Sequence, residues 1–149
     1  MPVDPGVLDA NVLAYASNAD APHYPVSRAL LEEARDPAAT LFVTPQIVSE
    51  FYSVITNPRR VAVASPPAVA VQVITAILAL PGIVVLPITA RAVSALLDLL
   101  RRRPVTGQDV FDLQIVATMT ANNVKRIYTF NAADFQAFPE LTVTVPGTS

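Results

Sequence analysis

The sequence predicts a three-layer α/β domain built around a parallel sheet. Short β-branched runs alternate along the chain with longer stretches of helical periodicity, and cap or turn signals separate them. The 149 residues are enough for one domain with a substantial core, expected to span 1–149.

Taken in order, Val7-Leu8-Asp9 ends a short first strand after the turn signal Asp4-Pro5-Gly6, and Asn11 to Ala16 forms a helical turn. Val26 to Arg35 reads as a helix, with Pro25 near its start and Pro37 beyond its end. Leu41-Phe42-Val43 is a second strand. Thr44 then caps a helix that opens on Pro45, carries Ile47, Phe51 and Val54 on one stripe, and ends at Asn57-Pro58. Ser65-Pro66 starts another helix, with Val69, Val73, Ile77 and Leu80 on one face; Pro81-Gly82 stops it, and Ile83 to Leu86 is a third strand. Thr89 caps a helix striped by Val93, Leu96, Leu97 and Leu100. Thr106-Gly107-Gln108-Asp109 has the form of a capping box opening the helix Val110 to Ala121. Arg126 to Phe130 is a fourth strand, Asn131 caps a short turn, and Leu141 to Val145 is a fifth strand.

Composition narrows the chemistry. Hydrophobic residues make up 52% and charged residues 15%, more apolar than an average soluble domain, so a partner is expected to cover part of the surface. No cysteine is present, which excludes disulfides, thiolate metal sites and a cysteine nucleophile, and suits a cytoplasmic setting. His23 is the sole histidine, so a histidine-rich zinc site is excluded; it lies in Ala21-Pro22-His23-Tyr24-Pro25, which reads as a surface loop. The net charge of −2 supplies no global field for nucleic acid. Local contacts would fall to Arg59-Arg60, Arg101-Arg102-Arg103 or Lys125-Arg126, each equally readable as a solvated helix end. The start Met1-Pro2-Val3-Asp4 lacks the features of a signal peptide. Pro66, Pro67, Pro81 and Gly82 cut the apolar stretch from Val61 to Leu86 too short to span a bilayer.

Most acids sit on polar faces, as Glu32, Glu33 and Asp98 do, but three do not. Asp9 follows Val7-Leu8 at the carboxyl end of a strand, where open α/β sheets bind ligands. Glu50 lies three residues after Ile47 and four before Val54, on the apolar side of its helix. Asp112 precedes Ile115, Val116 and Met119 by three, four and seven residues and faces the core side too. A bare carboxylate on an apolar face is costly unless something compensates it. One divalent cation such as Mg²⁺ or Mn²⁺ would compensate all three. Separate structural roles would also do: Asp9 as a helix cap, and Glu50 paired with Arg59 or Arg91. Pattern alone leaves both readings open. Asp109 and Asp134 have structural alternatives as well, each serving the start of the element that follows.

The segments that carry these acids resemble the PIN-domain nucleases, and among them the VapC toxins of bacterial toxin–antitoxin pairs. Leu8-Asp9-Ala10-Asn11-Val12-Leu13 is similar to the family's opening motif. Ser49-Glu50 is similar to the segment with its second acid, and Val110 to Thr118, with Asp112, to that with its third. Ile127 to Phe135 resembles the closing strand and turn, and the four segments follow the family's order from residue 8 to residue 135. The departure is Asn131, where many members carry an acid; Asp134 follows one turn later.

The resemblance implies a PIN-like three-layer α/β/α sandwich with a central, mostly parallel sheet of four or five strands. It implies hydrolysis of RNA phosphodiesters with one or two Mg²⁺ ions, Mn²⁺ being a possible substitute. Asp9 and Asp112 would hold the first ion. Glu50 would bind the attacking water or serve as its general base. Asp109 and Asp134 would extend the cluster, and Asn11 would orient Asp9 or the water. RNA contacts would come from local arginines and from Phe111 or Phe130, with the alternative that both rings are core. Partners implied are a cognate antitoxin and a second copy of the chain, with no membrane.

Two other classes compete. A protein-interaction module could keep the fold and use its acids structurally, and Asn131 is its best support. A phospho-acceptor domain also places an Asp at a strand end, but it wants a lysine after a late strand, and Lys125, the sole lysine, precedes its strand. A dinucleotide-binding domain is excluded, since the four glycines form no Gly-x-Gly-x-x-Gly run.

Overall fold

A computed structural model describes residues 2–148; Met1 and Ser149, the ends of the 1–149 expectation, lie outside the described residues. The first strand, β1 (Gly6–Leu8), sits between two parallel neighbours, β2 (Leu41–Val43) and β4 (Arg126–Tyr128). Val7 is in register with both Phe42 and Ile127. Beyond β2 lies β3 (Ile83–Val85), and beyond β4 lies β5 (Thr142–Thr144), so the sheet runs β3-β2-β1-β4-β5 with every pairing parallel. Parallel strands need covered faces and read as continuous apolar runs. Val7, Leu8, Leu41, Val43 and Ile127 are accordingly closed to solvent.

The helices are α1 (Ala10–Ala16), α2 (Tyr24–Glu32), α3 (Pro45–Thr56), α4 (Pro67–Leu78), α5 (Ala90–Arg102) and α6 (Val110–Ala121). The chain steps outward from β1 to β2 to β3, then crosses back to β4. Right-handed crossovers therefore put α1 to α4 on one face and α5 with α6 on the other. Between β1 and β4 the winding reverses, which opens a crevice at the strands' carboxyl ends.

Local signals explain the starts of the helices. Thr44 Oγ1 accepts from Ile47 N at 3.1 Å, with Pro45 in the first turn, and Thr89 Oγ1 accepts from Ala92 N at 3.3 Å. The expected capping box at Thr106 does not form. Gly107 takes a left-handed φ of +60°, residues Gly107–Asp109 wind as a 3-10 turn, and the Thr106 side chain caps nothing. Asn131 likewise makes no side-chain cap for the turn Ala132–Asp134.

The two apolar stripes hold in part. On α4, Ile77 is buried and Val73 and Leu80 pack against the core as expected, but Val69 is exposed and Ala70 buried; on α5, Leu96 and Leu100 pack against the core, while Val93 and Leu97 are exposed and Ala92 and Leu99 buried. Both helices carry apolar residues on several faces, so periodicity alone offers competing stripes, and the small alanines take the positions of closest approach. Among the described residues, no helix is long and apolar enough to cross a membrane.

Candidate active site

Asp9 leaves β1 in extended conformation and caps α1, its Oδ1 accepting from Ala10 N at 2.8 Å. Its backbone N–H still belongs to the sheet, donating to Tyr128 O at 3.0 Å. This pins the residue at the winding reversal between β1 and β4. Oδ2 accepts from Thr129 Oγ1 at 2.8 Å and from Asn11 Nδ2 at 3.3 Å. The cap role weighed from the sequence is therefore real, but it occupies only one carboxylate oxygen. Burial raises the Asp9 pKa above its ordinary value; Glu50 and Asp134 push it further, against the hydrogen bonds from Thr129 and Ala10.

Thr129 is the residue that sequence reasoning missed. It is fully buried, and its hydroxyl, besides donating to Asp9, accepts from Asn11 Nδ2 at 3.2 Å and from Asn131 N at 3.0 Å. The available signal was a polar residue just past the buried pair Ile127-Tyr128. Asn11 completes the network by accepting from Phe130 N at 3.2 Å.

Glu50 and Asp112 are half-buried rather than sunk in the core. The α3 helix presents Glu50 to the cavity, with Gln46 Nε2, one turn earlier, donating to its Oε1 at 2.8 Å and to Phe111 O at 2.9 Å. Gln46 thus ties α3 to the start of α6, and neither Arg59 nor Arg91 pairs with Glu50. Asp112, in the first turn of α6, has its carboxyl pushed up to about 6, first by burial and then by Asp134, Asp9, Glu50 and Asp109.

These placements converge on one open cavity of about 460 Å³. Asp9, Asn11, Glu50, Asp112 and Asn131 line it, with Tyr15 and Arg60. Asp109 and Asp134 are exposed and share an adjoining depression with Asp112 and Arg103. Lys125 and Arg126 are not part of the site: Arg126 begins β4 at the opposite end and pairs with Asp4 at 3.5 Å. Phe111 is exposed and Phe130 half-buried, so neither ring is closed into the core.

Among the described residues, every ion pair lies away from this cavity, linking Arg28 and Arg35 to Glu32, Arg101 to Asp98 and Arg126 to Asp4. Among the same residues no three His, Cys, Asp or Glu side chains close tightly enough to enclose an ion. The acids therefore share an electrostatic field, not a finished coordination sphere. That donor set, oxygen-rich and without a paired cation, fits a hard divalent ion that keeps several of its own waters. It does not fit zinc, which favours nitrogen and sulfur.

Residues 6–141 match the family model of the PIN domain. No curated protein matches the sequence significantly. Among solved structures, VapBC2 of Rickettsia felis, bound to a DNA fragment from its promoter, is similar over 96% of this chain and 99% of its own. That match has a TM-score of 0.68 at 17% identity. VapC20 of Mycobacterium tuberculosis, described as a sarcin–ricin loop cleaving toxin, is similar over 91% of this chain and 95% of its own, with a TM-score of 0.65 at 17% identity. These likenesses establish the fold.

Proposed function

The chain belongs to the PIN domain family, and from that premise we propose that it is a metal-dependent endoribonuclease, the toxin of a toxin–antitoxin pair. One observation carries the reading: Asp9, Glu50 and Asp112 face a single cavity at the winding reversal of the sheet, with no ion-pair partner for any of them among the described residues. The similarity in fold to a toxin described as cleaving the sarcin–ricin loop supports RNA as the substrate class.

Asp9, Asp112 and Glu50 would hold Mg²⁺, or Mn²⁺ in its place, and Asp109 and Asp134 would extend the set. When bound, the ion would neutralise phosphate charge and lower the pKa of water. The chain's own residues supply the rest. Thr129 and Asn11 fix the orientation of Asp9. With Oε1 held by Gln46, Glu50 keeps its other oxygen for the proton of the water that attacks phosphorus as the P–O bond to the leaving nucleoside breaks. Arg60, on the cavity wall, would meet the phosphate.

The chain would act in the cytoplasm as a single PIN-like domain. A cognate antitoxin and a second copy of the chain would cover apolar surface such as Val71 on α4 or Val84 and Val85 on β3, all exposed. The VapBC2 complex supports the antitoxin partner by likeness of fold. A second reading, a protein-interaction module without catalysis, is favoured by Asn131, which lines the cavity where many members carry an acid.

Cleavage of RNA in Mg²⁺ or Mn²⁺ by the wild type, Asp9→Asn and Asp112→Asn tests the proposal. Each variant is expected to lose activity by about a hundredfold or more. Full activity in either overturns the assignment, and an inert wild type leaves the interaction module.

A further inference from the structure

Beside the carboxylates stands an aromatic group that the proposed chemistry leaves unused. The His23 and Phe130 rings stack, with centroids 4.3 Å apart and planes 22° from parallel. Tyr15 sets its edge against both, at 5.1 Å from His23 and 5.2 Å from Phe130. The three rings come from separate segments: α1, the α1–α2 loop and the exit of β4.

We propose that Tyr15, His23 and Phe130 form a stacking platform for an unpaired base of the RNA, next to the cavity that takes its phosphate. The inference rests on the nuclease reading above and adds how the substrate is seated.

Position is the first support. Tyr15 itself lines the carboxylate cavity, and Asn131, the neighbour of Phe130, lines it too. The Phe130 N–H donates to Asn11 Oδ1, and the same Asn11 side chain holds Asp9, so one side chain ties Phe130 to the acid. Exposure is the second. Rings recruited only for packing would be closed off, yet His23 is exposed and the other two are half-buried. The third is chemical fit. A nucleotide offers an anionic phosphate and an apolar ring face a short distance apart. The chain offers a cation-demanding cavity whose wall includes Tyr15 of the aromatic group and Asn131 next to Phe130. Splayed bases of loops and single strands stack on aromatic and histidine rings.

The test titrates the full chain with a single-stranded oligoribonucleotide carrying one 2-aminopurine, in Ca²⁺, a hard cation that can occupy the carboxylate cavity, with the oligonucleotide checked by gel to be intact at the end of each titration. Stacking quenches this base. The wild type is expected to bind and quench; His23→Ala should bind about tenfold more weakly and lose the quench. His23→Phe, which keeps a ring without the imidazole, should restore both, and His23→Lys should not. His23 is exposed, so the variants are expected to melt as the wild type does. Unchanged binding by His23→Ala, rescue by Lys, or a wild type that leaves the fluorescence unmoved overturns the platform and leaves the rings as a clasp on the α1–α2 loop. The two proposals fail separately. Cleavage with a quench indifferent to His23 sinks the platform alone, whereas a ring-dependent quench without cleavage in Mn²⁺ sinks the nuclease alone.

Discussion

On the β1–β4 side of the cavity, Asp9 is 6% exposed and its two oxygens accept from Ala10, Thr129 and Asn11. Across from it, at the start of α6, Asp112 is half-buried, has no hydrogen-bond or ion-pair partner within the protein among the described residues, and is pushed up to about 6. The first wall is finished by the chain itself, because a carboxylate that deep must be hydrogen-bonded to persist. The second is left unbalanced: its carboxylate faces four other acids that raise its pKa. A site built this way has one rigid ligand and one whose charge waits for a cation, so the two acids should respond to substitution with opposite effects on stability.

The largest effect on stability is expected from Thr129→Val, which keeps the shape and removes the hydroxyl. Asp9 Oδ2 would retain only the longer bond from Asn11, and Asn131 N would lose its acceptor. The expected cost is about 1.5–3 kcal/mol, read as a fall in Tm of about 3–12 °C. A variant that melts with the wild type would show that the rigid wall does not depend on this hydroxyl.

Thr129 also marks where the sequence stops being legible. Threonine is common in strands for its β-branched shape, so nothing in Tyr128-Thr129-Phe130 distinguishes a packing residue from a hydroxyl aimed at an acid. Asp9, Glu50 and Asp112 could be read because a carboxylate on an apolar face conflicts with its surroundings. The parallel three-layer class could be read because alternating strands and helices admit few architectures, whereas the strand order could not. The Thr106 box was misread for a physical reason: the positive φ of Gly107 diverts the chain before the hydroxyl can reach Asp109 N, and only the backbone carbonyl of Thr106 meets it, at 3.4 Å. Phe130 could be named as a candidate RNA contact, but its stacking on His23 was out of reach, since the two lie more than a hundred residues apart.

A smaller effect, of opposite sign, is expected from Asp112→Asn. An acid raised from 3.8 to about 6 binds its proton more tightly in the folded chain. Its stabilising share is complete below the ordinary value and is lost as pH rises through about 6. The metal-free protein should therefore melt higher at pH 5 than at pH 7, and Asp112→Asn should flatten that difference. With solvent screening of a half-exposed group discounted, the gain at pH 7 is about 1 kcal/mol, or about 2–4 °C. Mn²⁺ should raise the Tm of the wild type at pH 7, less at pH 5 where protons compete, and least in Asp112→Asn. Scanning fluorimetry over pH and metal concentration reads all of this, and a Tm indifferent to both would remove the case for an unbalanced wall.

The smallest effect tests whether the acids act together. Asp134 is exposed, and its substitution should leave the fold nearly unchanged. Yet after burial it is the leading cause of the raised value at Asp112, and it also acts on Asp9. Asp134→Asn should therefore lower the Asp112 midpoint below about 6 without restoring it to 3.8, because burial, the larger cause, stays in place. Asp109→Asn should move it less, Asp109 being the weakest of the four charges. Carboxyl NMR titrations of the two variants resolve the order. An Asp112 midpoint that ignores Asp134 would mean that this exposed acid does not act on it, and Asp134 would then have no part in holding an ion.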